Sequence, residues 1–309
     1  MPCGFEHLTS IVPKNKKTVA VLAHEVGIDE SVLDATLKNG LYEVPYAAGE
    51  TTASLAAKAI TQLFTQRPDL QPRVQAVILA HSLPAPVPPN FDLLAPCLEA
   101  GKLDLFPAIA VTGQPCAILH SAIQMAQTWL SGLPASGGIL IVGSDVPSQT
   151  EERLFFNSAM GDAAIAGVLV KNTDHHVILA SITDTYVRAF SGELSPTEAI
   201  AGFRAANPNA IRKSAESCLS AAGVQLNDLK WLVPHTPNTP LWTAVAELMR
   251  LPQERILTDY IGETGHLNSN DSFAHYLRAI EEGKLAKGDL ALLVNPGFGG
   301  SRGCTIMRV

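Results

Sequence analysis

Several short stretches hold side chains suited to nucleophilic chemistry. In GQPCAILHSAIQMA (113–126), Cys116 stands where an apolar strand gives way to a tight turn and then to a helical pattern. The thiolate is the nucleophilic form of cysteine, and a helix N-terminus or a neighbouring imidazolium favours it. That placement in the first helical turn makes Cys116 a candidate nucleophile; its alternative is a small buried core residue. Cys3, Cys97, Cys218 and Cys304 lack any such placement and are expected to be structural. In LVPHTPN (232–238) a buried strand delivers His235 to its carboxyl end, just before a helix. TGHLNSNDSF (264–273) packs His266, Asn268, Asn270 and Asp271 into one turn, a composition that equally suits a helix-capping loop. NPGFGGSRG (295–303) has glycines for a turn with exposed backbone amides, which could stabilise an oxyanion. It precedes a strand rather than a helix, so it fails as a dinucleotide motif. His120 shares the helical face of Cys116, but no further ligands follow at metal-binding spacing, so it is assigned to packing and neither metal nor cofactor is expected.

These residues need a scaffold that brings strand ends together. QAVILAH (75–81), FPAIAV (106–111), GGILIVGSDV (137–146) and AAIAGVLVKN (163–172) are apolar throughout, as strands buried on both faces should be. Helical FDLLAPCLEAG (91–101) and AILHSAIQMAQTWLSG (117–132) alternate with them. The second half repeats the order. LKWLVPH (229–235) and ERILTDY (254–260) are predicted strands, PLWTAVAELMR (240–250) and SNDSFAHYLRAIEEG (269–283) helices, and DLALLVNPGF and GCTIMRV two closing strands. Ser269 or Asn268 is the predicted N-cap of the last helix. Residues 186–200 are expected to form a linker, with a helix over 210–224. The repeat predicts an α/β chain of two halves, 1–185 with the cysteine and 186–309 with the histidine, related by a pseudo-twofold axis. Ligands of such sheets bind beyond the carboxyl ends of the strands, where Cys116, His235 and the 264–273 turn all fall.

Composition sets outer bounds. The chain has 309 residues, 47% hydrophobic and 17% charged, as expected of a globular protein able to bury a large core. Five scattered cysteines without a CxxC pair argue against a disulfide framework or a structural zinc site. A net charge of −7 disfavours nucleic-acid binding. With no secretory signal pattern and no membrane-length apolar run, a cytoplasmic location is expected.

Taken in order, PCAILHSAIQMA, VGSDV, MGDAAIAGVLV, WLVPHTPN and GKLAKGDLALLVNPGFGGSRG resemble the β-ketoacyl-acyl-carrier-protein synthase III group of the thiolase superfamily. The resemblance runs from about residue 75 to the C-terminus, with a shortened middle around 185–205. It implies a five-layered αβαβα fold, a homodimer and a cysteine acylated by an acyl-CoA or acyl-carrier-protein thioester. By position Cys116 matches the nucleophile and His235 the catalytic histidine. The amide of Cys116, with one from Gly297, Phe298 or Gly299, would form the oxyanion hole. The family's third position is asparagine. Ungapped counting places His266 there, with Asn268 a substitute if the loop shifts by two residues. Histidine at that position puts decarboxylative condensation in question without touching acyl transfer to another nucleophile. The coenzyme A clamp is poorly matched; Arg153, Arg204, Arg212, Lys213 and Arg250 are candidates for docking coenzyme A or a carrier. Fatty acid, polyketide or secondary metabolite synthesis is the implied setting. The alternatives are a catalytically impaired partner in a heterodimeric ketosynthase-like complex and, third, a simple cysteine hydrolase, which the missing nucleophile elbow disfavours.

Overall fold

The computed structural model describes residues 2–83, 92–103, 107–155, 158–185, 196–297 and 299–309. In chain order the elements are β1 (Cys3–Ile11), β2 (Lys16–Thr18), α1 (Val19–Val26), α2 (Glu30–Lys38), β3 (Glu43–Pro45), α3 (Thr52–Gln66), β4 (Val74–Ala80), α4 (Ala95–Gly101), β5 (Ala108–Val111), α5 (Ile118–Ser131) and β6 (Gly138–Asp145). Next come β7 (Leu154–Phe155), β8 (Ser158–Ala159), β9 (Ala163–Lys171), β10 (Val177–Thr185), α6 (Thr197–Ala222), β11 (Leu229–Pro234), α7 (Thr239–Met249), α8 (Ile261–Thr264), α9 (Asp271–Glu281), β12 (Leu290–Pro296) and β13 (Ser301–Arg308).

Nine strands form one ladder, ordered β11-β12-β13-β10-β1-β9-β6-β4-β5. Its two wings are joined at β1 and β10 by the residue pairs Cys3↔Ile178 and Gly4↔Val177. Each wing has its own run of pairings. From β1 outward, β9 and β6 add antiparallel, and β4 and β5 parallel. From β10 outward, β13 and β12 add antiparallel and β11 parallel, and an isolated parallel bridge Leu232↔Ile256 stands where β5 stands in the other wing.

Burial of the strands explains the layers. Every residue of β6, GILIVGSD, is buried, so this strand must be covered on both faces. The apolar faces of α5 and α9 fill the space between the wings, packing Ile123, Ala126, Phe273 and Leu277 with Ile78, Ile165, Leu293 and Met307. α3 and α4 cover the outer face of the first wing, and α6 and α7 that of the second. The result is the expected five-layered αβαβα, thiolase-type fold. A smaller unit of α1, α2 and the antiparallel β2–β3 pair packs against Ala159 and Ile261, at the end of the sheet where strand carboxyl termini converge.

The structure departs from the sequence expectations in three places. The predicted linker lies partly outside the described residues (186–195), but from Thr197 the chain is already helical, and α6 runs through Pro208 to Ala222. The stretch 254–260 forms a single 3₁₀ turn (Gln253–Arg255) and the one bridge rather than a strand. α9 begins at Asp271 with no side-chain cap, because Asn268–Asn270 form their own 3₁₀ turn and the Ser269 hydroxyl is bonded to Asp145 instead. Among the described residues no helix is long and apolar enough to cross a membrane.

Candidate active site

Cys116 does not lie inside the helix. It precedes α5 with φ +61°, a left-handed conformation that costs an L-residue roughly 1–2 kcal/mol. The strained turn presents its sulfur at the end of a helix whose first turn has no side-chain cap. Cys116 Sγ is 3.4 Å from His266 Nε2, and the residue is 6% exposed. The turn between β12 and β13 holds the nucleophile loop from the other side. A Cβ on Gly297 would overlap the carbonyl of Pro115, and Ser301 Oγ donates to that same carbonyl at 3.0 Å.

His266 is turned inward by Gly265, whose φ of +56° and closeness to Ala159 leave no room for a side chain. The His266 N–H bonds Ala159 O at 2.7 Å, and its Nδ1 lies 2.5 Å from Asp271 Oδ2. Asp271 is fully buried and accepts further bonds from Leu267 N (2.6 Å), Thr236 N (2.9 Å) and the Thr236 hydroxyl (2.7 Å). Burial alone would push the Asp271 carboxyl up, but the His266 imidazolium beside it holds it down, near 2. Burial would likewise lower His266, yet the facing Asp271 carboxylate and Cys116 sulfur raise it to about 10. His235 moves the other way: burial first, then the charge on His266, push it well below its ordinary value. The rings of His235 and His266 meet edge to face at 5.3 Å, and one ligating atom from each of Cys116, His235 and His266 falls within 4.8 Å of the others. The site therefore pairs a charged imidazole with a neutral one. Divergent pKa values in adjacent groups are the signature of divided acid–base roles.

A second buried carboxylate braces these loops. Asp145, at the end of β6, accepts from Ser82 N (2.6 Å) and Leu83 N (3.0 Å) beyond β4. It also accepts from Ser269 N (3.2 Å), Ser269 Oγ (2.6 Å) and Asn270 Nδ2 (3.2 Å) in the His266–Asp271 turn. Two of the expected oxyanion donors are engaged. The Cys116 amide donates to Ser82 Oγ at 2.9 Å, and the Gly297 amide to Ser301 O at 2.6 Å. Gly299 lies in the same turn with φ +89°; Phe298 lies outside the described residues. Asn268 is buried in a left-handed conformation with its Nδ2 unpartnered, but it is His266 that faces the sulfur.

A cavity of about 420 Å³ reaches this centre, lined by Cys116, His235, His266, Phe155 and Ser158 at depth and by residues of α6 and α7. Of the expected docking residues Arg204 lines it. Arg153 does not serve: it is 3% exposed, paired with Asp162 at 2.8 Å and stacked on Tyr46. Arg212 is bonded to Glu216 and Asn209 on the helix surface, and Lys213 and Arg250 are exposed away from the cavity. His120 packs on Phe273 and bonds Thr305, as expected. Cys116, His235 and His266 are also the group spaced to hold a metal ion among the described residues. The same atoms form the Cys–His contact, so a thiophilic ion would compete with acylation. Sequence reasoning gave no role to Ser82, Asp145, Ser158, Thr236 or Asp271. For Asp271 a signal existed: an acid five residues after a candidate histidine, within the same turn.

A family model described as 3-oxoacyl-[acyl-carrier-protein] synthase III C terminal matches residues 219–309. The β-ketoacyl-[acyl-carrier-protein] synthase III of Methylococcus capsulatus is 25% identical over 299 residues, covering 91% of this chain and 90% of its own. Among solved structures, the acyltransferase ChlB3 superposes with a TM-score of 0.88 at 17% identity, covering 100% of this chain and 98% of its own. The synthase III of Pseudomonas aeruginosa does so with 0.83 at 22% identity, over 100% and 98%. These likenesses give the chain the fold of the synthase III structures and a C-terminal segment that matches their family model. Along nearly its whole length the chain is similar to β-ketoacyl-acyl-carrier-protein synthase III, and it is an enzyme that transfers acyl groups.

Asp271→Asn should lower the turnover of acyl transfer by up to about 10,000-fold, the loss seen when the aspartate of a Ser-His-Asp triad is made neutral, with little change in KM. The same variant tests the charge pair by stability. His266 has a raised folded pKa, so its contribution is complete below its unfolded value near ~6.5 and is lost as pH rises through about 10. Asp271 has a depressed one, so its contribution is present above its unfolded value near ~3.9 and is lost as pH falls through about 2. Melting curves should therefore separate wild type from Asp271→Asn most between about pH 4 and 6.5, and the gap should shrink toward pH 10. A gap independent of pH would count against the ion pair.

Proposed function

We propose that the protein moves an acyl group from a thioester to a protic acceptor through an acyl-Cys116 intermediate, with Cys116, His266 and Asp271 acting as a triad. The contact that carries this reading is the chain of hydrogen-bonded atoms from Cys116 Sγ through both nitrogens of His266 to Asp271. Cys116 sulfur attacks the thioester carbonyl, forming the C–S bond and a tetrahedral oxyanion. As that collapses, the donor thiol leaves with the proton of His266. Acylation removes the negative sulfur that helped to hold the imidazole charged, so the ring becomes a base. It then takes the proton of the acceptor as the acceptor attacks the acyl carbon, and Cys116 leaves as thiolate. Asp271 stays ionised throughout and fixes the tautomer. His235, neutral at neutral pH, is assigned to polarising the carbonyl oxygen, since the Cys116 and Gly297 amides are engaged elsewhere.

Decarboxylative condensation is the second reading, favoured by the likeness to β-ketoacyl-[acyl-carrier-protein] synthase III enzymes. It calls for a neutral hydrogen-bond donor at the third position, where this chain has the imidazolium–carboxylate pair. The donor is an acyl-CoA or an acyl carrier protein, with Arg204 at the mouth of the cavity toward its anionic arm. Among the described residues β5 ends the ladder with an unpaired edge of Ala108–Val111, and such an apolar edge fits pairing with a second copy in a homodimer. Retention of the whole triad speaks against an impaired subunit of a heterodimer, and the purified chain alone is expected to react. The division of the chain into two halves, 1–185 and 186–309, is retained as part of this reading, although β10 (Val177–Thr185), the last strand of the first half, pairs into the second wing.

Intact-protein mass spectrometry of the chain incubated with a panel of acyl thioesters should show one acyl adduct. Cys116→Ala should abolish it and Cys218→Ala should not; an adduct retained by the first variant removes the nucleophile assignment. His266→Asn should reduce transfer at least 100-fold, by loss of the base. If instead it leaves transfer intact and raises malonyl-thioester decarboxylation, the condensing reading replaces ours.

A further inference from the structure

The deep wall of the cavity contains a hydroxyl with nothing to bond. Ser158 and Phe155 face each other across the β7–β8 pairing, and both line the chamber beside His266, with the Phe155 ring 6.4 Å from the imidazole. Ser158 is 3% exposed, and its Oγ has no hydrogen-bond partner. Across the cavity, on α6, Asn207 lines the same space with a buried and unpartnered Oδ1. An unsatisfied buried polar atom costs about 1–3 kcal/mol, so two of them on one cavity mark where a ligand supplies the partners. Their chemistry restricts that ligand. A carboxamide oxygen only accepts, so whatever meets Asn207 must present a donor hydrogen; a serine hydroxyl either donates or accepts. A hydroxyl group meets both requirements. A malonyl carboxylate meets neither the Asn207 oxygen nor the charge of the nearby Asp271.

We infer that the acceptor in the second half-reaction is a hydroxylated compound, bound through Ser158 and Asn207 so that one of its other hydroxyls reaches the acyl carbon beside His266. This rests on the acyl-transfer reading above and names its acceptor. The acceptor O–H proton passes to His266, the new bond is an oxygen ester, and Cys116 departs as thiolate, so no other reactant enters. A pantetheine amide N–H, arriving with the donor, is the other source of the hydrogen that Asn207 needs.

Single-turnover deacylation separates the two sources. The enzyme is acylated with an acyl-N-acetylcysteamine thioester, freed of donor, and the decay of acyl-Cys116 is followed by intact mass. Parallel arms contain buffer, methyl α-glucopyranoside, cyclohexane, pantetheine or malonyl-N-acetylcysteamine. The sugar should accelerate decay at least tenfold over buffer and yield its acyl ester, with no such effect from cyclohexane. In Ser158→Ala and Asn207→Ala the sugar-promoted rate should fall about tenfold relative to the acylation rate of the same variant. Acceleration by pantetheine alone, with both variants slowed in acylation rather than deacylation, would assign the two polar atoms to the donor arm and overturn the inference. So would acceleration by the malonyl thioester alone. An enzyme that forms no acyl-Cys116 would instead remove the proposed function itself, and this inference with it.

Discussion

A single buried carboxylate sets the geometry on which the chemistry depends. Asp271 has no access to water and would be costly to ionise there, were it not for His266 and the donors of Leu267 and Thr236 around it. Those bonds are also restraints. The Leu267 amide shapes the turn that carries His266, while Thr236 is the neighbour of His235, so one acid fixes the backbone just after both imidazoles. Removing either member of such a pair leaves an uncompensated buried charge, a loss of about 3–5 kcal/mol. The pair is thus stabilised only by being complete, and completeness also gives Cys116 a correctly oriented partner.

The site is also where the two wings of the sheet are fastened. Their strands share two residue pairs at β1 and β10, far from the carboxyl ends. At those ends, polar links do the joining. Asp145 of the first wing takes bonds from Ser269 and Asn270, Cys116 faces His266, and Pro115 meets Gly297 and Ser301 of the second wing. Since each wing contributes only part of this cluster, relative movement of the wings would separate Cys116 from His266. The Asp145 links oppose that movement without touching the reacting atoms.

Much of this architecture was legible in the sequence, for physical reasons that can be named. Runs such as GILIVGSD are apolar on both faces only if covered by helices on both sides, and their repetition at matching intervals exposed the two-winged plan. Cys116 and His235 stood out because each follows such a strand. What escaped was mostly non-local. Asp145 reads as the end of a strand until its five donors from two distant loops are seen, and Ser82 is an ordinary turn residue until Cys116 bonds to it. Ser269 suggested a cap, but its hydroxyl goes to Asp145, and the helix starts later. The helix expected over 210–224 begins at Thr197 instead, and α6 continues through Pro208. Arg153 resembled a docking group by charge alone; its burial against Asp162 could not be anticipated without the fold.

The protein also contains the controls that show why His266 differs from its neighbours. Four histidines, His120, His235, His266 and His275, are wholly buried, and burial by itself favours the neutral ring. His120 and His275 accordingly sit near 4, and His235 is lowered too. His275 even lies on the helix that Asp271 begins, but its ring nitrogen bonds the Thr264 hydroxyl rather than a carboxylate. His266 alone among the four has an acid at its Nδ1 and a sulfur at its Nε2, and it alone is raised. A histidine introduced at this position without Asp271 would therefore behave as His235 does: a neutral ring able to donate one hydrogen bond, much as an asparagine would. It is the acid that turns the position from a hydrogen-bond donor into a proton carrier. Histidine and aspartate have to be considered as one unit, and the chemistry of the site changes only when both are present.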